Sequence, residues 1–476
     1  MANFNNQKLS LTVNILITLA LSSFLLVKNM AGGAIIILLL LSLWFYKIYI
    51  HDIRKILTDN RLIKLIFINF ILYFAYNTLS SFLHDKSTGS GYAYYFICSI
   101  PVFFFMRHLI IKIKYLIIGF LLASSSMILA FFQIFYMESE RAFGATYPIA
   151  FGNISLVFCT SSLCCMIYLV SKHFNTTNRL NQNKDIKNTD KSYNKNSYIK
   201  IKILSIIHKY GLSFLTLISA IFAFCSMILS GTRASLLAFI PAMLMVLIYF
   251  IIFYRNLFIR IIPLILLGFV ITITIFWATP MLEFISNKID SSIDDIKTAT
   301  SIVKKEDKQK VSSIGQRVVM WRVATELFKE NPIFGTGYNT FYSEKNSLIE
   351  RKKASGAITF AETSISKYNQ PHNEYLRALS ETGILGFILL LGIFILPLLF
   401  FINSLRFKLK YVQKKRRDDF ILINYLGIIV ILLFMQFAMT EGILSRSIFA
   451  TLYTLIIPVS MSMSHRIQII EHNENI

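Results

Sequence analysis

Residues 383–403 read GILGFILLLGIFILPLLFFIN. This stretch carries no charge, and a helix needs about 20 apolar residues to cross the roughly 30 Å hydrocarbon core of a bilayer. Similar runs recur along the chain at roughly 9–27, 31–50, 64–83, 92–106, 116–136, 151–171, 210–229, 234–254, 261–279, 420–439 and 447–463, which makes twelve candidate spans. The fourth and twelfth are short, and the seventh and eighth nearly touch. The first is too long for a signal-peptide core and lacks an A-x-A-like site, so it reads as a retained anchor. The pattern predicts an all-α polytopic membrane protein.

Composition agrees. Of 476 residues, 55% are apolar and only 15% charged, with 42 Phe and a mean hydropathy of +0.59. Soluble domains carry about 25% charged residues. These values exclude a soluble enzyme, a disordered chain, a collagen-like chain and a disulfide scaffold. The net charge of +23 would suggest nucleic acid in a soluble protein. In a membrane protein, Lys and Arg collect instead on the cytoplasmic side and at anionic lipid, so no nucleic-acid partner is expected. Cys98, Cys159, Cys164, Cys165 and Cys225 all fall inside apolar runs, without a C-x-x-C pair. They read as small buried residues, not as disulfides or metal ligands.

Lys and Arg alternate between successive connections. One set carries Arg54, Lys55, Arg61 and Lys64, then Arg107, Lys112 and Lys114. It continues with eight between Lys172 and Lys202, then Arg255 and Arg260, then seven between Arg406 and Arg417. The other set holds only Lys28, Lys86, Arg141, Arg233 and Arg446 in its short loops. The asymmetry predicts both termini in the cytoplasm. Two connections are long. Residues 172–202, rich in Asn, Lys, Ser and Thr, are expected to form a disordered cytoplasmic linker. Residues 280–382 balance their charges and contain helical patterning, which predicts a structured outer loop where function would lie. The organisation expected is therefore 1–279 with nine spans, 280–382 as the loop domain, and 383–476 with three spans and a tail.

A few polar residues stand out on the outer side. Arg233 sits in the tight turn Ser230-Gly231-Thr232-Arg233-Ala234-Ser235, where an arginine can simply snorkel to headgroups. Arg141 follows Glu138 and Glu140, which favours a surface ion pair. Ser312 or Ser313 can cap a helix running to about Lys329. On it, Ile314, Val318, Trp321, Ala324 and Phe328 would form one stripe that includes Arg317, with Arg322 and Glu326 off it. An arginine on a packed face needs an anionic partner. That partner is either a carboxylate elsewhere in the fold or an anionic ligand, for which Arg is suited when phosphate is involved. His372 opens Pro371-His372-Asn373-Glu374-Tyr375-Leu376, which leads into the tenth span. Pro371 suits a first helical turn, and Gly383 and Gly386 permit close approach of a neighbouring helix. A lone His is more often structural than catalytic, though this one sits at the water–membrane boundary.

The chain lacks a P-loop, a G-x-G-x-x-G after a strand, an H-E-x-x-H and any D-x-D on the outer side. A metal-bound diphosphate usually needs one or two carboxylates, so arginines would have to neutralise a diphosphate here.

The residues resemble those of the bacterial O-antigen ligases and the wider O-antigen ligase and polymerase superfamily. The ligase motif is His, Asn, nine residues, Gly, two residues and Gly. It is matched by His372, Asn373, Glu374 to Thr382, Gly383, Ile384-Leu385 and Gly386. In order ahead of it stand Arg141-Ala142-Phe143-Gly144-Ala145-Thr146, Gly231-Thr232-Arg233-Ala234-Ser235-Leu236-Leu237 and Ser312-Ser313-Ile314-Gly315-Gln316-Arg317. Ser445-Arg446-Ser447 follows it. The resemblance covers roughly residues 115–463, and the long polar linker departs from the ligases.

The resemblance implies about twelve spans with a large, partly helical periplasmic loop, a GT-C-like glycosyltransferase architecture in the bacterial inner membrane. It implies a donor glycan on undecaprenyl diphosphate, a lipid A-core acceptor, and neither metal nor cofactor. His372 would be the general base, with Arg233 and Arg317 on the diphosphate and Arg141, Asn373, Glu374 and Arg446 in support. The transfer would be inverting. An O-antigen polymerase, joining lipid-linked repeat units, is the alternative within the same chemistry. A transporter of lipid-linked oligosaccharide should show internal repeats and charged or broken mid-membrane helices, and the sequence shows no repeat.

Overall fold

The computed structural model describes residues 2–27, 29–84, 91–184, 195–257 and 313–474, with scattered positions between 262 and 290. Among the described residues the chain is helical and contains no strand. In chain order the helices are α1 (Ala2–Ser23), α2 (Met30–Trp44), α3 (Ile50–Asp59), α4 (Arg61–Leu83), α5 (Tyr94–Arg107), α6 (Ile113–Ala123), α7 (Ser126–Phe135) and α8 (Pro148–Lys184). They continue with α9 (Lys195–Leu229), α10 (Arg233–Tyr254), α11 (Ser313–Glu330), α12 (Phe341–Ala354), the single turn α13 (Phe360–Thr363), α14 (Glu374–Asn403), α15 (Lys414–Ala438) and α16 (Ser447–Glu474).

Among the described residues, eight segments are long and apolar enough to cross a membrane: Arg61–Leu83, Ile113–Phe135, Pro148–Lys172, Tyr210–Leu229, Arg233–Tyr254, Glu374–Tyr411, Lys414–Ala438 and Ser447–Glu471. They correspond to eight of the twelve expected runs, so the protein is a multi-pass membrane protein. The other four differ. The run at 31–50 yields only the 15 residues of α2 before the chain turns at Phe45, and the run at 92–106 yields the 14 residues of α5. At 1.5 Å per residue these reach about 21–23 Å, short of a hydrocarbon core. The first run forms α1, whose apolar part begins only at Leu9. The ninth, 261–279, lies largely outside the described residues.

The described ends of the expected linker are helical. Residues 172–184 continue α8 and residues 195–202 begin α9, so helix propagates from the two spans into the polar segment. Residues 185–194 lie outside the described residues.

The apolar spans share one hydrophobic core. α8 is its axis, packed against α9, α10 and α15, while α4 lies on α14 and α5 on α16. The five cysteines are free; Cys159, Cys164, Cys165 and Cys225 are buried and Cys98 half-buried. Residues 313–382 have a small core of their own, in which Val319, Met320, Val323 and Leu327 of α11 meet Phe341 and Leu348 of α12 and Ile365. α11 also rests on α14, which ties this layer to the spans.

α14 is broken at Gly383, whose φ of 63° leaves the helical region. A Cβ at this position would collide with the Ile333 carbonyl. The break instead lets Ile384 N donate to Pro332 O at 2.9 Å. The expected close approach to a neighbouring helix therefore holds for Gly386, whose Cβ position lies 3.2 Å from Tyr76 of α4. Gly383 serves the loop between α11 and α12.

Candidate active site

Five chain segments converge beyond the ends of the spans: the α7–α8 loop, the α9–α10 turn, the start of α11, the loop that enters α14, and the loop that joins α15 to α16. Each carries one of the residues singled out from sequence.

His372 has a φ of 51°, the left-handed region that a non-glycine residue seldom occupies. This turn directs the chain into α14. Asn373 then caps α14, its Oδ1 accepting from Leu376 N at 3.0 Å, while its Nδ2 donates to Met439 O at 3.1 Å. The helix starts at Glu374, so Pro371 lies before it and not in its first turn. Trp321 Nε1 donates to Pro371 O at 3.0 Å, which anchors α11 to this turn. Strained backbone held by such contacts is common where side chains must be aimed.

The imidazole Nδ1 lies 3.0 Å from Glu441 Oε2. Glu441, in the α15–α16 loop, is fully buried and also accepts from Gln370 Nε2 at 2.8 Å. Arg446 Nη2 approaches its Oε1 at 3.6 Å. Burial alone would raise the Glu441 carboxyl. The hydrogen bond from His372, with the Arg446 and Arg317 guanidiniums, holds it below its ordinary value instead. An ionised Glu441 makes Nδ1 the protonated nitrogen and leaves Nε2 with its lone pair.

Arg141 does not form the surface ion pair favoured from sequence. Its Nε donates to Ser230 O at 2.8 Å and its Nη2 to Thr232 Oγ1 at 3.1 Å. Thr232 Oγ1 in turn donates to Pro148 O at 2.9 Å. Arg141 thus clasps the turn that begins α10 with Arg233. Gln133 Oε1 holds the same loop by accepting from Phe143 N and Gly144 N at 3.0 and 2.9 Å. Burial lowers the Arg141 guanidinium from its ordinary value, and the charges of Arg233 and Arg317 lower it further against the opposing pull of Glu140.

Arg317 sits beside them. The buried residues of α11 are Gly315, Val319, Met320, Val323, Ala324 and Leu327. The expected stripe is thus rotated, because α14 and α12 select the face. Ile314, Val318, Trp321 and Phe328 are only half-buried, Arg317 flanks the packed face, and Arg322 is exposed. Among the described residues Arg317 forms no ion pair within 4 Å. Burial lowers its guanidinium, the Glu441 charge opposes this, and Arg233 adds to the fall. Of the two partners left open by the sequence, a distant carboxylate is present in Glu441, but His372, Gln370 and Arg446 already share it.

Residues 218–391 match the family described as O-Antigen ligase. This segment is therefore similar to O-antigen ligases over a little more than a third of the chain. Arg233, Arg317, His372, Gly383 and Gly386 lie inside the matched segment; Arg141, Glu441 and Arg446 lie outside it and meet it in space. The chain is also similar to an uncharacterized protein of Haemophilus influenzae, 24% identical over 405 residues, which are 84% of this chain and 87% of that one.

Within the matched segment, Glu374 and Asn373 make structural contacts. Glu374 is buried, pairs with Arg377 and accepts from Leu444 N at 3.0 Å. It braces the α15–α16 loop against α14. Asn373 is a helix cap. Arg446 stays close to the His372 and Glu441 pair, with its guanidinium 4.9 Å over the Tyr147 ring. Glu441 had no sequence signal beyond its place four residues before the Ser445-Arg446-Ser447 segment.

Among the described residues no group of three His, Cys, Asp or Glu side chains could hold a metal ion. The arrangement is one imidazole on one buried carboxylate, surrounded by four guanidiniums. It can accept a proton at Nε2 and bind an anion of more than one negative charge.

Proposed function

We propose that the protein is a glycosyltransferase of the O-antigen ligase type, working in the bacterial inner membrane with its site on the periplasmic side. The donor would be a glycan on undecaprenyl diphosphate and the acceptor a hydroxyl of the lipid A core. The observation that carries this reading is the meeting of the His372 and Glu441 pair with Arg141, Arg233, Arg317 and Arg446. Arg141 and Arg317 have guanidiniums lowered by burial and by neighbouring arginines, and a diphosphate would relieve that repulsion.

In the reaction, His372 Nε2 takes the proton of the acceptor hydroxyl while that oxygen bonds to the anomeric carbon. The bond from the anomeric carbon to the diphosphate oxygen breaks, and its electron pair leaves with the lipid diphosphate. Attack opposite the leaving group inverts the anomeric centre. Charge grows on the diphosphate as the bond breaks, so fixed guanidiniums at Arg233 and Arg317 favour the transition state over the ground state. Glu441 holds the imidazole in the useful tautomer and stabilises the imidazolium that forms, as the carboxylate does in a catalytic triad. Arg141 positions the Arg233 turn, and Arg446 balances Glu441.

A deletion strain tests both the class and the acceptor. Loss of a ligase leaves polymerised glycan on undecaprenyl diphosphate and none on the core. A single repeat unit on the core would assign the protein as a polymerase. Unchanged lipopolysaccharide with altered export of lipid-linked glycan would contradict the transferase reading.

A further inference from the structure

A cavity of about 500 Å³ lies at the far end of the spans, among the end of α5, the start of α6, α8, and the facing ends of α15 and α16. Tyr168 on its wall stands twenty residues along α8 from Pro148, whose carbonyl accepts from the Thr232 hydroxyl that Arg141 also holds. At 1.5 Å per residue this is about 30 Å, the thickness of a hydrocarbon core. The cavity is therefore separate from the site around His372.

Five cations, Lys112, Lys114, Lys172, Arg416 and Arg466, face one carboxylate, Asp419, across this cavity. Two of the five are already compensated. Lys172 Nζ lies 3.0 Å from Asp419, and Arg416 is paired with Glu471 at 2.9 Å and Glu474 at 2.8 Å. Among the described residues, Lys112, Lys114 and Arg466 have no carboxylate within 4 Å. Arg466 is fixed in place because its Nη1 donates to Leu109 O at 2.7 Å and Arg107 O at 3.2 Å. Among the described residues its other N–H groups have no hydrogen-bond partner. The remaining wall is apolar, with Ile110, Ile113 and Ile467 beside the cations. A soluble anion has no use for that wall, whereas a lipid places its phosphate on the cations and its chains on the isoleucines.

We propose that this cavity binds the phosphate headgroup of an anionic phospholipid. Lys112, Lys114 and Arg466 hold the phosphate, and the isoleucine wall takes the upper part of the acyl chains. Basic pockets between spans select such headgroups, each Lys or Arg adding attraction near the membrane surface. The inference does not rest on the transferase reading, because it concerns the opposite ends of the helices.

The test uses the full chain in nanodiscs holding equal phosphatidylglycerol and phosphatidylcholine, with retained lipid counted by native mass spectrometry. The wild type is expected to keep one phosphatidylglycerol in preference to phosphatidylcholine. The double variant K112Q/K114Q removes two exposed side chains and should lower that occupancy by about tenfold. The single variants should show smaller steps of the same sign, and R322Q/K329Q on α11 should change nothing. No preference over phosphatidylcholine, or equal occupancy in the K112Q/K114Q and R322Q/K329Q variants, overturns the proposal. In lipid-free detergent, a thermal shift caused by inorganic phosphate and lost in K112Q/K114Q would assign the cavity to a soluble anion and overturn the lipid headgroup.

Discussion

Nδ1 of His372 and Oε2 of Glu441 lie 3.0 Å apart, although 69 residues separate them in the chain. In the proposed mechanism this contact orients the histidine at the helix entrance as the base. Replacing Glu441 by Gln keeps the shape and a hydrogen-bonding oxygen but removes the charge that stabilises the imidazolium. Turnover should fall by about 10²–10⁴ with little change in KM for the donor. The measurement is transfer by purified variants with lipid-linked donor and core acceptor. Near-normal turnover in E441Q would remove Glu441 from the mechanism.

Glu441 also links stability to pH. Its folded carboxyl lies below its ordinary value, so the unfolded state binds the proton more readily. Its contribution is complete above the unfolded carboxylate range, near about 4.3, and is lost as pH falls through the lower folded value. Thermal unfolding followed from pH 6 downward should show E441Q losing less stability than the wild type. Parallel loss in both would contradict the linkage.

His372→Gln can still hydrogen-bond Glu441 but cannot accept the proton of the acceptor. Transfer should fall by about 10²–10⁴, while expression and membrane insertion remain intact. A merely structural histidine predicts the reverse: reduced yield, with turnover preserved in the protein that remains.

The arginines should separate by position. Arg317→Ala and Arg233→Ala should each lower transfer by about 10²–10³, and Lys at either position should rescue poorly because it lacks the planar fork. Arg322→Ala, on the exposed side of α11, should be mild. Equal losses at Arg317 and Arg322 would refute the assignment.

Inorganic pyrophosphate supplies a direct probe of the cluster. It binds the folded state alone, so at 100 times its Kd it should add about 2.7 kcal/mol of stability. The thermal shift should be absent in R233A/R317A and unaffected by EDTA. A shift that requires magnesium would contradict charge neutralisation by arginine.

Gly383→Ala should act through stability. Its φ of 63° disfavours a side chain, and a Cβ would meet the Ile333 carbonyl. A loss of more than about 1 kcal/mol is expected, seen as lower yield and a lower unfolding temperature. The surviving protein should keep its turnover, in contrast to H372Q.

Much of this protein is legible along the chain because hydrophobic runs are local. The 383–403 stretch needs no neighbour to declare itself a span, and seven others likewise become long apolar helices. The His-Asn-Gly-Gly spacing and the scarce outer arginines are local signals too, and four of those arginines do meet in space. Other features depended on docking. Which face of α11 packs was decided by α12 and α14, so the stripe through Trp321 turned out half-exposed. Arg141 abandoned the two glutamates beside it for the Ser230 carbonyl, because burial against the α9–α10 turn left a backbone acceptor to satisfy. Glu441 carried no periodicity or motif. Its place beside His372 exists only because the start of α14 meets the end of α15, and a buried carboxylate takes whichever donors the tertiary fold places beside it.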